Sequence, residues 1–385
     1  MRSASGLLFV VCSVALASCG HDAAVTTPVV ATACPDAQLL VSLSDLDSSV
    51  ACYAPGCVED EKTTGLFLGG DPMLVASNDR VFWLSRDQDI VFELEPTCGR
   101  FRGKTSLQEF KPATANANPH DVAAAKDGTL LIALYNTPKL VFMKDGKVDG
   151  APVDLSSYDE DGNPQAESVR VVDVGGREKA FVALERLDDR SKPALQSTRA
   201  SQMLRIDVAT RNVEGTTELA GRNPFNPMEQ LGGFLFLAEP GNFNAADDTQ
   251  AGIERFDTQT LETKLLVTEQ ALGGSVTEIA IREGCGVAIV AGPQQDVNPT
   301  ALVTFDPATG AVLHSFAAPV LGPTAGFDLQ GLAWQGSTLW VGDRRAVQNQ
   351  YNVHELTLTG TCELTETGRA IEVPRAPIAL LPAKR

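Results

Sequence analysis

Three strand-like runs in this chain end in the same way: Ile206-Asp207-Val208-Ala209-Thr210, Phe256-Asp257-Thr258-Gln259-Thr260 and Phe305-Asp306-Pro307-Ala308-Thr309-Gly310. In each, an aspartate follows an apolar residue and a threonine stands three positions further on. Such an aspartate accepts hydrogen bonds from the backbone of its own turn, and a glycine such as Gly310 supplies the positive φ that closes it. The copies recur at about 40 to 50 residues, the spacing of a repeated supersecondary unit. Such a unit is too small to bury its apolar face alone and must stack on its neighbours.

The clearest unit reads as four short strands, Ser275 to Arg282, Gly286 to Ala291, Ala301 to Asp306 and Ala311 to Phe316. Further units of this kind cover roughly Asp71 to Pro112, Pro119 to Tyr158, Glu167 to Ala220, Asn226 to Leu272 and Gly326 to Thr365. Their apolar residues alternate with period two or form short runs such as Thr129 to Tyr135, which suits strands buried between neighbouring sheets. The expected fold is all-β, a β-propeller of four-stranded blades. Six units are visible. A seventh, shared between Gly65 to Gly69 near one end and Ile371 to Leu381 near the other, would close the ring and remove exposed edges, so seven blades are favoured over six.

The first residues have a different character. Arg2 precedes an apolar run, Gly6 to Ala17, which ends in Leu16-Ala17-Ser18-Cys19-Gly20. The run is well short of the roughly 20 apolar residues that span a bilayer and has the anatomy of a secretion signal. Its end resembles the lipobox of bacterial lipoproteins, which implies cleavage before Cys19, lipid on that cysteine and a membrane anchor, with Gly20 fitting outer-membrane sorting. Residues 1–18 are read as the signal peptide. Residues 19–33, nearly uncharged and rich in Ala, Val, Thr and Pro, are read as a lipidated flexible tether. Residues 34–385 are the propeller, with 34–70 a disulfide-bearing segment that closes the ring. Six cysteines remain there: Cys34, Cys52, Cys57, Cys98, Cys285 and Cys362. An oxidising compartment makes disulfides the expectation, although six cysteines allow 15 pairings. Cys52 and Cys57 flank a turn and are placed to close a small loop.

A net charge of -18 repels phosphates and argues against nucleic acid as a partner. The segment Asn118-Pro119-His120-Asp121-Val122-Ala123, with Asp127-Gly128-Thr129-Leu130 and the later Phe305 to Gly310, resembles the YVTN and lactonase-like β-propellers. That resemblance implies the fold from Asp71 to Pro382. It leaves the activity open, because these propellers include both enzymes and binding modules.

Long insertions fall after second strands, at Arg186 to Ser201, Pro240 to Gly252, Gly292 to Thr300 and Arg344 to Asn352. Propeller geometry gathers them on one face, and extra length on one face points to recognition. Inner strands begin there with His120-Asp121, Glu167, Glu229, Glu278 and Asp328, which are expected to ring the channel mouth and attract a cation or basic ligand. Asn136, Glu185, Glu239 and Asp343 are expected on the same rim. Asp159, Asp161 and Asn163 set alternating oxygens around Gly162, as calcium loops do, without full EF-hand spacing. No catalytic motif emerges, and a divalent, calcium-like cation is the only cofactor suggested. The expected function is a lipid-anchored envelope module that binds a protein, peptide or glycan. The alternative is a metal-assisted hydrolase resembling the lactonase-like propellers.

Overall fold

The computed structural model describes residues 38–44, 48–54, 57–61, 71–97, 100–243, 248–292, 298–347 and 350–383. Seven antiparallel sheets form the blades. Blades 1 to 6 span 72–106, 119–154, 166–218, 225–268, 275–314 and 329–373. Blade 7 takes its inner strand from Ala376–Pro382 and its other three from Leu39–Ser44, Ser48–Ala54 and Cys57–Glu61. In blade 2 the outer position is split between Lys147–Val148 and Val153–Asp154, both paired with Lys139–Lys144. The first strand of each unit lies innermost, and each inner strand contacts the next around the ring, with blade 7 meeting blade 1. The proposed outer strand at Gly65 to Gly69 lies outside the described residues. Cys57–Glu61 holds the outer edge of the closing blade.

Seven apolar clusters fill the seven blade-to-blade interfaces. In Leu130–Leu134 every residue is buried. Leu131 and Ala133 face blade 3 with Val169 and Val182, while Leu130, Ile132 and Leu134 face blade 1 with Phe82 and Leu84. A strand alternates its side chains between two faces, so a run with no polar member is what burial on both faces demands.

The repeated punctuation forms the same hairpin three times. Asp207 Oδ1 accepts from Thr210 N at 2.8 Å, Asp257 Oδ1 from Gln259 N and Thr260 N at 2.8 and 3.0 Å, and Asp306 Oδ1 from Ala308 N and Thr309 N at 2.8 and 3.2 Å. The closing position has positive φ in all three: 61° at Arg211, 64° at Leu261 and 79° at Gly310. The conformation therefore repeats where the glycine does not.

Two expectations change. Arg344 to Asn352 is not an insertion loop: Thr338–Val347 and Gln350–Thr359 continue as long paired strands through most of it. Cys57 stands opposite Ala54 and Cys52 opposite Glu59, so the two cysteines do not face each other across their hairpin. A disulfide joins Cys285 in blade 5 to Cys362 in blade 6, with Cα atoms 4.8 Å apart. Cys19, Cys34 and Cys98 lie outside the described residues. Among the described residues no helix is long and apolar enough to cross a membrane.

Candidate functional site

The two ends of the ring differ. One carries the short turns 78–79, 175–176, 232–233 and 283–284 and the three Asp-capped hairpins. The other carries the long connections 107–118, 155–165, 185–201, 240–251, 292–299 and 315–328. Leu195, Phe243 and Phe327, 50%, 44% and 40% exposed, all lie in those connections; Leu313, also exposed, is on the outer strand of blade 5. Three of the four large apolar side chains exposed among the described residues therefore lie at this end.

Inner strands of blades 2 to 6 each break register near that end, between Pro119 and Asp121, Ala166 and Ser168, Phe225 and Glu229, Val276 and Glu278, and Leu329 and Leu332. A bulge re-aims the side chains around it. The acids expected to form one ring consequently separate. Asp121 is fully buried: it accepts from Val122 N and Val169 N and pairs with Arg170 Nη1 at 2.6 Å. Glu167 accepts from Asn226 N at 2.8 Å, and Glu278 from Gly331 N and Leu332 N at 2.8 Å each. Glu229 accepts from the Ile281 amide. Each carboxylate thus clasps the backbone of the following blade. Asp328 takes Gly326 N at 3.0 Å within its own loop and stands apart.

Glu229 and Glu278 also line a central cavity of about 450 Å³, with Arg170, Asn226, Phe225 and Gln330. Burial pushes both carboxyls up to about 7, and Glu229 adds its charge to the effect on Glu278. Arg170 is bound by Asp121 and its charge also acts on Glu229, so one guanidinium serves both of these carboxyls and Glu278 has no cation beside it among the described residues.

His120 and Glu167, each at the bulge of its inner strand, form a second, buried cluster. His120 Nδ1 hydrogen-bonds Glu167 Oε2, and its ring stacks on Tyr135 with centroids 4.3 Å apart. The Tyr135 hydroxyl donates to Glu185 Oε2 at 2.5 Å, and Glu185 in turn bonds Glu167. Burial lowers the His120 pKa, against the opposing pull of the Glu167 charge. Burial works to raise Glu167, but the neighbouring His120, Arg86 and the Asn226 amide outweigh it and keep that group ionised. Burial and the Glu167 charge raise Glu185 well above the carboxylate range, so it carries a proton. The result is a continuous line of hydrogen bonds from Tyr135 to His120. Arg86, Tyr135 and Arg170 were not legible as members, because each meets the acids of the site across a blade boundary.

The other expected rim groups are held individually. Glu239 and Glu254, both fully buried, face each other, and burial and mutual repulsion raise Glu239 well above its ordinary range. Gly221 donates its amide to Glu254 Oε2 at 2.6 Å, where a Cβ would come 1.7 Å from Glu239 Oε2. Asp343 sits between Arg345 and His354, and Asn136 donates to Asn116 Oδ1. In the acidic loop, Arg199 pairs with Asp159, and Arg199 also lies 3.9 Å from Asp161 and Arg186 3.7 Å from Asp159. Asn163 Nδ2 donates to the Tyr135 carbonyl at 3.1 Å. Two guanidinium groups among these oxygens are a poor fit to a calcium ion, which needs six to eight oxygen ligands. Among the described residues no three His, Cys, Asp or Glu side chains are grouped to hold a metal.

Seven blades around a central cavity, with elaborated connections at one end, define a β-propeller. No protein-family model matches the sequence, and no curated protein matches it by sequence. The fold is similar to that of the Dos1 propeller, at 13% identity over 88% of this chain and 81% of that one, with a TM-score of 0.54. It is also similar to U3-55K, at 12% identity, 79% and 81% coverage and a TM-score of 0.53. Apo AztD from Citrobacter koseri matches at 12% identity over 90% of this chain and 97% of that one, with a TM-score of 0.50. At such identities the likeness is one of fold.

Proposed function

We propose that this propeller is a lipid-anchored binding module of the cell envelope that recognises a protein, peptide or glycan with its elaborated end. The observation that carries the reading is the concentration of long connections and exposed apolar side chains at one end, against short capped turns at the other. The attachment point fits it. Gln38, the first described residue, bonds Tyr53 and Ala383, and Leu39 pairs with Pro382, at the end opposite the long connections.

Two experiments test the two halves. Cys19→Ala is expected to abolish incorporation of labelled fatty acid and release the chain from the membrane fraction; unchanged labelling ends the lipoprotein reading. Photo-crosslinking residues placed at positions 195, 243 and 327 are expected to give discrete adducts in cells, and residues at positions 145 and 308 none. Equal adducts from both ends would remove the recognition face.

A further inference from the structure

The central cavity has an unusual balance of chemistry. About 450 Å³ is the size of a small-molecule site. Its two inward carboxylates come from different blades, Glu229 from blade 4 and Glu278 from blade 5. The single guanidinium among the lining side chains, Arg170, is bound at 2.6 Å to the buried Asp121. The cavity is therefore short of positive charge. Next to it the lining residue Phe225 meets Phe243 edge-on, with centroids 5.4 Å apart, and Phe243 remains 44% exposed on a long connection. An acidic interior thus adjoins an exposed aromatic lip.

We infer that this cavity receives an organic cation with an apolar neighbour, namely the lysine or arginine side chain of a peptide whose adjacent aromatic or aliphatic residue rests on Phe225 and Phe243. The inference deepens the binding-module reading and rests on it. A dehydrated divalent ion needs several oxygens at 2.3–2.6 Å. Both oxygens of Glu278 are turned to backbone amides of blade 6, and Glu229 leans on the Ile281 amide. That leaves two anchored acceptors on separate strands, which suits an ammonium or guanidinium group that hydrogen-bonds at ordinary distance. Asn226 and Gln330 add further polar side chains. Burial already pushes the two carboxyls up to about 7, the expected condition of acids awaiting a counter-charge.

The test titrates the full chain with acetyl-Phe-Lys-amide, with its norleucine analogue of the same length and no charge, and with calcium chloride. Saturable binding of the lysyl peptide is expected, with the norleucyl peptide weaker by about tenfold or more. Glu229→Gln, which keeps an acceptor for the Ile281 amide, is expected to weaken the lysyl peptide by about tenfold and leave the norleucyl peptide unchanged. Phe243→Ala, an exposed change that leaves folding intact, is expected to weaken both peptides. Equal affinity for the two peptides, no saturation by either, or displacement of the lysyl peptide by calcium overturns the inference. If that happens while crosslinks still form from positions 195, 243 and 327, the recognition face stands and only the cavity assignment falls.

Discussion

At the short-turn end, Asp127 and Asp207 are held at about 2, chiefly by hydrogen bonds from Lys144 and Lys179, with turn amides adding to the effect. Toward the other end, burial pushes Glu229 and Glu278 up to about 7 and Glu269, in the helix that links blades 4 and 5, up to about 8. Asp127 and Asp207 are paired with lysines, whereas Glu229, Glu278 and Glu269 rely mainly on backbone amides; Asp343, between Arg345 and His354, departs from the pattern at its end. The first arrangement contributes to folding. The second works against folding at neutral pH and is retained where the long connections gather, as expected where stability and a functional site compete.

The disulfide belongs to the short-turn end, where Cys362 sits in the last turn of blade 6. Replacing Cys285 and Cys362 by serine is expected to cost about 2–4 kcal/mol in denaturant unfolding. Crosslinking from position 243 should be untouched; its loss would mean that the two ends are not independent.

The carboxyls fix the pH response. Glu269 ionises near 4.5 when unfolded and at about 8 when folded, so its contribution to stability is full below 4.5 and lost as pH rises toward 8. Glu229 and Glu278 act in the same sense up to about 7. Asp127 and Asp207 act oppositely: their contribution stands above 3.8 and is lost as pH falls toward about 2. Stability from these groups is expected to peak between about 3.8 and 4.5 and to decline to pH 8. Glu269→Gln should remove up to roughly 5 kcal/mol of that decline, measured as unfolding free energy against pH. A flat profile in the unsubstituted chain would break the contrast between the two ends.

Smaller effects sharpen it. Asp257→Ala removes an acceptor used by two turn amides and is expected to cost ~0.5–1.5 kcal/mol with no effect on crosslinking. Phe243→Ala should change unfolding by less than about 0.5 kcal/mol and still reduce adducts from position 195. A large stability loss at Phe243 would assign it to the core instead.

The short-turn end was legible in the sequence because its chemistry is local. An aspartate, its turn amides and a positive-φ residue lie within a few positions, so Asp207, Asp257 and Asp306 announce themselves. The ring closure was legible in part: the inner strand within Ile371 to Leu381 was readable, whereas the partners it takes, Leu39–Ser44, Ser48–Ala54 and Cys57–Glu61, were read only as a closing segment. The acids at the other end were readable as a set but not in their grouping. A single-residue register break reverses the face a side chain takes; the inner strands of blades 2, 3, 5 and 6 carry such breaks, and that of blade 4 skips two residues. That is why Glu167 joins His120 and Glu185 while Glu229 and Glu278 face the cavity. Arg170 and Tyr135 meet these acids only across blade boundaries, a relation that no spacing along the chain encodes.

Blade 7 joins Leu39–Ser44 to Ala376–Pro382, strands from nearly opposite ends of the sequence. Until Ala376–Pro382 docks, the early strands have one side of their ladder open, and no intermediate fragment shuts the ring. Pairing of such high contact order is slow and leaves a bare edge exposed to other chains in the meantime. Assembly therefore resembles fastening a clasp, in which the first strands are held in waiting and a lesion in the last seven-residue strand is felt by the whole circle.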